Sequence, residues 1–332
     1  MLEITDVVRG DALCGLSLKI QDNGIYGVLC ADGNTKDSLA DVLCGCENAE
    51  GGEVRINGEL MSRRAIEPKK RVRLVSRNIC TDKTTTPVEY MDFIGQVLGV
   101  DVDKRYRQIK EAIELMAIED VQNRLFSSLT AIQTLRVSIA ASLIGNPDVI
   151  VLNDPFAGIE ERSLGEVFET LRMLGEIKTL VLLSKKAAHV KALCRNMAIV
   201  CGGKTVLEGN IAEIEKKINS THELNVCVRG EYERVSRAIE SVDGVVSVKL
   251  LSAEKNDVNH IRVEHNPDGK MKDKLFAALS QIGASMLSHK AVVLTLEDVF
   301  YSLTRSDREA EEAAKQEESS SNKKGKRGVR RK

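Results

Sequence analysis

A chain of 332 residues exceeds one ordinary domain, so two domains and a tail are expected. With 42% hydrophobic and 29% charged residues it reads as soluble and globular, and its longest charge-free apolar stretch, 137–147, is far short of the ~20 residues that a membrane helix needs. The net charge of −1 hides an asymmetry, because KKGKRGVRRK at 323–332 carries seven basic residues and everything upstream sums to −8.

The N-terminus, MLEITDVVRGD, has neither a basic flank nor an apolar run, and no signal peptide is expected. GVLCADGNTKDSLADVL at 27–43 reads as a strand, a turn and a helix, with the rhythm of a phosphate-binding loop. Aliphatic or β-branched runs recur at EVRING (53–58), VRLVS (72–76), DVIVLN (148–153), TLVLLS (179–184) and MAIVCGG (197–203). Helical patterns lie between several of them, which argues for an α/β core with a largely parallel sheet. Thr86, Pro87 and Glu89 have the spacing of a capped helix start: an N-cap hydroxyl, proline at the first helical position and a carboxylate three residues after the cap. From there to about Ser128 the sequence is helical in character and forms an insertion, about 78–135, in a first domain of 1–215.

Residues 222–304 run strand, helix, strand, strand, helix, strand, the βαββαβ order of a small α+β ferredoxin-like domain. A short final helix follows, with Thr295 as its cap. Residues 305–332 turn to Glu, Ala, Lys and Ser and then to basic residues, a composition that builds no core, so a disordered charged tail is expected. Eight cysteines occur without a CxxC pair and read as buried thiols of a reducing compartment, with no metal site.

The phosphate-loop template GxxxxGK[ST] aligns with Cys30, Ala31, Asp32, Gly33, Asn34, Thr35, Lys36 and Asp37, followed by Ser38. Lys36 survives, whereas both template glycines and the magnesium hydroxyl are missing. A β-branched Thr35 resists the φ > 0 that glycine accepts, and Asp37 puts a carboxylate where a hydroxyl should face phosphate. Two like charges ~4 Å apart repel by several kcal/mol at an effective dielectric of ~20. The loop is still expected to form, with Lys36 attracting phosphate and the metal-assisted site lost.

The fragments downstream follow in an order that resembles the ATP-binding subunit of ABC transporters, over roughly residues 1–304. GGEVRING stands where the family has it after the phosphate loop, and LTAIQTLRVSIAASLIGNPDVIVLNDPFAGIEER is similar to the signature helix, acidic strand and D-loop. TLVLLSKKAAHVKALCRNMAIVCGGKTVLEG resembles the switch region, and the unit ending in LEDVFYSLT resembles the C-terminal extension of the ABC-2 exporter branch. The resemblance implies an ABC ATPase fold and assigns roles by position. Asn153 takes the place of the Asp that supports magnesium, and Asp154 that of the catalytic Glu. Arg77 stands for the Q-loop Gln, Lys185 for the switch His, and Glu160 for the D-loop Asp. Thr130, Ala131, Ile132 and Gln133 replace the signature SGGQ, and no aromatic precedes Tyr26 to stack on adenine.

In the family two such subunits sandwich ATP between one phosphate loop and the other's signature, so a homodimer would be altered on both sides. The resemblance therefore implies a pseudo-ATPase: a structural or regulatory subunit at the cytoplasmic face of the membrane, partnered with an ABC-2-like permease. It would form a homodimer or pair with a second ABC ATPase subunit, with little or no hydrolysis. Arg77 and Lys185 suggest ATP bound without Mg²⁺, their charges replacing the metal's. The alternatives are a slow but active transport ATPase and a soluble non-transport ABC protein. For a protein beside a membrane the basic tail could attract anionic lipid, at ~1 kcal/mol per basic residue. An acidic body with 3% aromatics counts against nucleic acid.

Overall fold

The computed structural model describes residues 1–76, 84–218, 222–254, 257–266, 268–292 and 295–303. Contacts divide the chain into two units, with boundaries between Ile211 and Ala212 and again between Val299 and Phe300, where the chain rejoins the first unit. The expected tail at 305–332 and the Q-loop position Arg77 lie outside the described residues.

The first unit opens with β1 (Leu2–Arg9), β2 (Leu13–Ile20) and β3 (Gly24–Cys30), then α1 (Gly33–Leu43), β4 (Gly51–Ile56) and β5 (Glu59–Leu60). After α2 (Glu67–Lys70) and β6 (Val72–Ser76) come the helices α3 (Pro87–Val97), α4 (Val102–Met116) and α5 (Ala131–Ser142). It continues through β7 (Val149–Asn153), α6 (Gly165–Ile177), β8 (Thr179–Ser184), α7 (Ala187–Leu193), β9 (Asn196–Cys201) and β10 (Lys204–Asn210), and α8 (Ile211–Ile218) begins at the boundary.

Two sheets share the core. The six-stranded one has the order β10-β9-β3-β8-β7-β6 and is parallel except for β10. Its central strands are apolar throughout, as parallel strands covered on both faces must be: every residue of β8 is buried, as are the last five of β3. The second sheet, β2-β1-β4-β5, is antiparallel. EVRING is thus a correction to the expectation of one largely parallel sheet, since β4 pairs with β1 and stands apart from β6 to β9. Helix α1 packs into the core shared by the two sheets through Leu39, Ala40, Val42 and Leu43.

The insertion is capped as its sequence predicts. Glu89 N–H donates to Thr86 Oγ1 at 3.3 Å, and the Glu89 carboxylate accepts from Thr86 N–H at 2.8 Å. Tyr90 meets Phe126 edge to face, 5.6 Å between centroids, which ties the start of α3 to the turn before α5.

The second unit contains β11 (His222–Arg229), α9 (Tyr232–Glu240), β12 (Val245–Glu254), β13 (Val258–His265), α10 (Met271–Gln281) and β14 (Ser285–Val292). Its sheet is antiparallel with the order β12-β13-β11-β14. Leu224, Val226, Ile261 and Val263 from the sheet pack with Val235 and Ile239 of α9 and Leu275 of α10. Thr295 caps α11 (Leu296–Leu303), its hydroxyl accepting from Asp298 N–H at 3.2 Å.

Close packing of α7 on β3 makes a specific demand on Gly27. A Cβ there would overlap Val190 Cγ1 and come within 3.1 Å of Cys194 Sγ. Valine is stiff at χ1, so the helix itself would have to move. Gly27→Ala is expected to lower stability by about 1–3 kcal/mol, as overpacking does, read from the urea midpoint. An unchanged midpoint would show that α7 yields freely.

Candidate functional site

In a parallel sheet the loops after neighbouring strands gather at one end, and ligands bind there. Here β8 lies between β3 and β7, with Leu29 opposite Ser184 and Asn153 opposite Leu183. Register therefore brings together the residues after β3 (Ala31 to Ser38), the end of β7 (Asn153, Asp154) and Lys185 after β8.

The stretch after β3 departs from the expected loop. Only Ala31 and Asp32 separate Cys30 from the helix, which begins at Gly33. Asp32 is its N-cap, extended at φ −120° and ψ 161°, and its carboxylate accepts from Thr35 N–H at 2.7 Å. Gly33, Asn34 and Thr35 form the first turn, with Asn34 exposed. The steric penalty expected at Thr35 does not arise, because Thr35 is helical and absent from the positive-φ residues. Its buried hydroxyl instead donates to Ala12 O at 3.0 Å, tying α1 to the turn before β2. The early helix start is the physical reason: a carboxylate at the cap satisfies a donor that a phosphate loop would leave for its ligand.

Lys36 is likewise not directed at solvent. It is 6% exposed, and its ammonium donates to Asn153 Oδ1 at 2.7 Å and to Asp37 Oδ1 at 2.9 Å. Asn153 Nδ2 donates to the same Asp37 oxygen at 2.9 Å, so the three side chains close a ring between α1 and β7. A buried ammonium requires such partners. Asp37 is the outer member of the ring, its side chain 63% exposed. Partial burial pushes the Asp37 carboxyl up, but the bonds from Asn153 and Lys36 and the charges of Lys36 and Lys185 outweigh it and hold it below the usual carboxylate range. Ser38 is half-buried on the same turn. Cys30, at the end of β3, has its thiol pushed up to about 12 by burial and then by the charge of Asp32, and stays protonated.

Asp154 sits at φ 48° in the left-handed region, with its N–H on Leu183 O at 2.9 Å. This turn carries the chain away from β7 immediately after Asn153. His189, one helical turn beyond Lys185, faces the core: it is buried, and its ring meets Phe156 edge-on at 5.1 Å. Among the described residues neither ring nitrogen has a hydrogen-bond partner, and burial followed by the charge of Lys186 lowers its pKa. Among the described residues no group of three or more His, Cys, Asp or Glu is placed to hold a metal ion.

The signature residues form a separate feature. Thr130 caps α5, its Oγ1 accepting from Gln133 N–H at 3.3 Å, while Gln133 Oε1 accepts from Thr130 N–H at 3.0 Å. Ala131 and Ile132 make the first turn, Ala131 exposed and Ile132 half-buried. The sequence signal for this cap was available in the Thr-x-x-Gln spacing, which matches the capping box that Thr86 and Glu89 also form. The hydrogen bonds of Thr130 and Gln133 close on each other within this cap. Glu160 bonds with exposed Arg162 at 2.6 Å.

A magnesium-bound nucleotide would have to displace the contacts already made here. The helix N-terminus carries its own carboxylate, Lys36 is engaged, and Asn153 offers the metal no charge.

Residues 13–157 match the model of the ABC transporter family. Over 319 residues the chain is 25% identical to the daunorubicin/doxorubicin resistance ATP-binding protein DrrA of Streptomyces peucetius, with 92% of each chain covered. It is 22% identical over 292 residues to the linearmycin resistance ATP-binding protein LnrL of Bacillus subtilis, covering 87% of this chain and 92% of the relative. A nucleotide-free ATP-binding cassette from an ABC transporter superposes with a TM-score of 0.59 at 18% identity, over 66% of this chain and 95% of that one. A dimeric cassette bound to ADP and Pi gives 0.55 at 17% identity, over 63% and 98%. The structural likenesses show the cassette fold.

The ring makes stability pH-dependent in a defined direction. A carboxyl with a lowered folded pKa contributes stability that is fully present above its unfolded value, ordinarily 3.8, and lost as pH falls through the folded one. The difference in denaturation midpoint between the wild type and Asp37→Asn is therefore expected to be constant above about pH 5 and to shrink below about pH 4. A difference that grew on acidification would contradict the ring.

Proposed function

From the ABC transporter ATP-binding domain that this chain carries, we propose a pseudo-ATPase subunit of an exporter, one that transmits or locks a conformation and hydrolyses little or no ATP. The observation that supports it best is the closed ring of Lys36, Asp37 and Asn153. ABC cassettes bind ATP, one of them in a dimer holding ADP and Pi. In this chain the phosphate-facing cation is already paired, and a left-handed Asp154 stands at the place of the catalytic Glu. Losing one electrostatic contributor commonly costs ~10²–10³ in rate, and several are altered here together. Nucleotide that does bind would do so weakly and without magnesium, with Lys185 and Arg77 supplying charge, and only after Lys36 leaves Asp37.

The partner in this reading is an ABC-2-like permease, and the second cassette of the dimer is another copy of this chain or a competent ATPase subunit. The second unit, read as a ferredoxin-like extension, fits the exporter branch, and its resistance-protein relatives match along most of their length. No helix among the described residues is long and apolar enough to cross a membrane; in this reading the permease brings the subunit to the membrane, with the basic tail as a further contact. The helical insertion offers the docking face: Phe93 and Val97 of α3 and Val102 and Tyr106 of α4 are all exposed. Four exposed large apolar side chains on one pair of helices mark an interaction surface.

Two measurements test this. Purified protein with magnesium and ATP is expected to turn over at background, unchanged in Lys36→Ala. A turnover that Lys36→Ala abolishes would establish the slow transport ATPase instead. Phe93→Glu with Tyr106→Glu is expected to abolish co-purification with a co-expressed ABC-2-type permease while leaving the thermal midpoint unchanged. Capture of ribosomes in place of a permease would favour the soluble non-transport class.

A further inference from the structure

We infer that Asp32 and Asp37 are internal occupants of the anion site at the start of α1, and that Asp37 is the residue that bars phosphate from Lys36. The inference rests on the pseudo-ATPase reading and names how the site is kept closed.

The first N–H groups of a helix have no partner within it and attract an anion. On α1 one of them, that of Thr35, is already taken by the Asp32 carboxylate at 2.7 Å. The ammonium of Lys36 is the other natural phosphate contact, and two of its bonds go to Asp37 and Asn153. One oxygen of Asp37 accepts from both Lys36 and Asn153, so a single carboxylate neutralises the cation and aligns the amide. The charge of Lys185 acts on the same carboxylate. A phosphate approaching Lys36 would have to displace Asp37 and would still meet its negative charge.

Asymmetry of exposure identifies Asp37 as the gate. Lys36 is held in the interior, whereas the Asp37 side chain is 63% exposed and fills no core volume. Removing it opens no cavity, and it turns a neutralised ring into a site with two cations, Lys36 and Lys185, beside a helix N-terminus. Asp32 would remain as a weaker obstacle, since it engages a backbone N–H and leaves the ammonium alone.

Calorimetry of the full chain with inorganic pyrophosphate and with ATP, in EDTA and in magnesium, tests this. Wild type is expected to bind weakly. Asp37→Ser is expected to tighten pyrophosphate at least about tenfold in EDTA, the ratio that about 1.4 kcal/mol supplies. Adding Lys36→Met is expected to return affinity to the wild-type level. Asp37→Asn, nearly isosteric, removes the charge without changing shape and decides the question if the serine variant folds poorly. Folded Asp37→Ser or Asp37→Asn protein that binds no tighter than wild type would overturn the inference, as would a gain that survives Lys36→Met. A wild type that hydrolyses ATP through Lys36 would overturn the pseudo-ATPase reading instead. Inert wild type with inert variants would sink only the gate.

Discussion

A buried ammonium must find oxygen, and the region around the nucleotide position is organised by that demand on Lys36. The side chain leaves α1 into a space closed by β7, where desolvation would be severe if it stood alone. Two oxygens meet it, one from the same helix and one from the end of β7. Because Asn153 also bonds to Asp37, the ring fixes the amide's orientation: Oδ1 faces Lys36 and Nδ2 faces Asp37. The start of α1 is thereby held against the sheet without any ligand.

That closure depends on topology as much as on side chains. Lys36 and Asn153 are 117 residues apart and meet only because parallel strands end on the same side. Asp32 caps α1 from within, and the Thr35 hydroxyl fastens the same turn to Ala12. Each of these contacts satisfies a polar group that a phosphate-binding site would leave open for its ligand, which is why the local geometry is stable.

The strands of the parallel sheet's core, those of the second unit and the cap at Thr86 were legible in the sequence, since each rests on a short-range signal: an apolar run bounded by turns, or a hydroxyl three residues before a carboxylate. The sheet to which EVRING belongs was not, because apolar alternation says nothing about a strand's partner. The start of α1 was misplaced for a related reason. A template aligned on Lys36 puts a loop through Gly33 to Thr35, yet Asp32 is a strong N-cap residue with a free N–H three residues on, and that local preference decides the backbone. The ring itself joins α1 to a strand end far along the chain, which no local pattern encodes. Its members could be named from the resemblance, but their mutual pairing could not.

A working nucleotide site is poised against stability: like charges face one another and donors stand unpaired until the ligand arrives, and the ligand then stabilises the folded state. In this chain three of those terms stand the other way round. Asn153 ends its strand without a charge, the Asp37 carboxylate on α1 pairs with the lysine, and Asp32 caps the helix N-terminus. Each of the three pairs or neutralises a group that a ligand would otherwise meet, as the proposed pseudo-ATPase reading expects. His189 shows that the relief is local. Only a helical turn away along α7, its ring nitrogens remain buried without partners, a cost of about 1–3 kcal/mol that the core still bears. The self-pairing is therefore confined to the face where phosphate would bind, the placement that the proposed closed site requires.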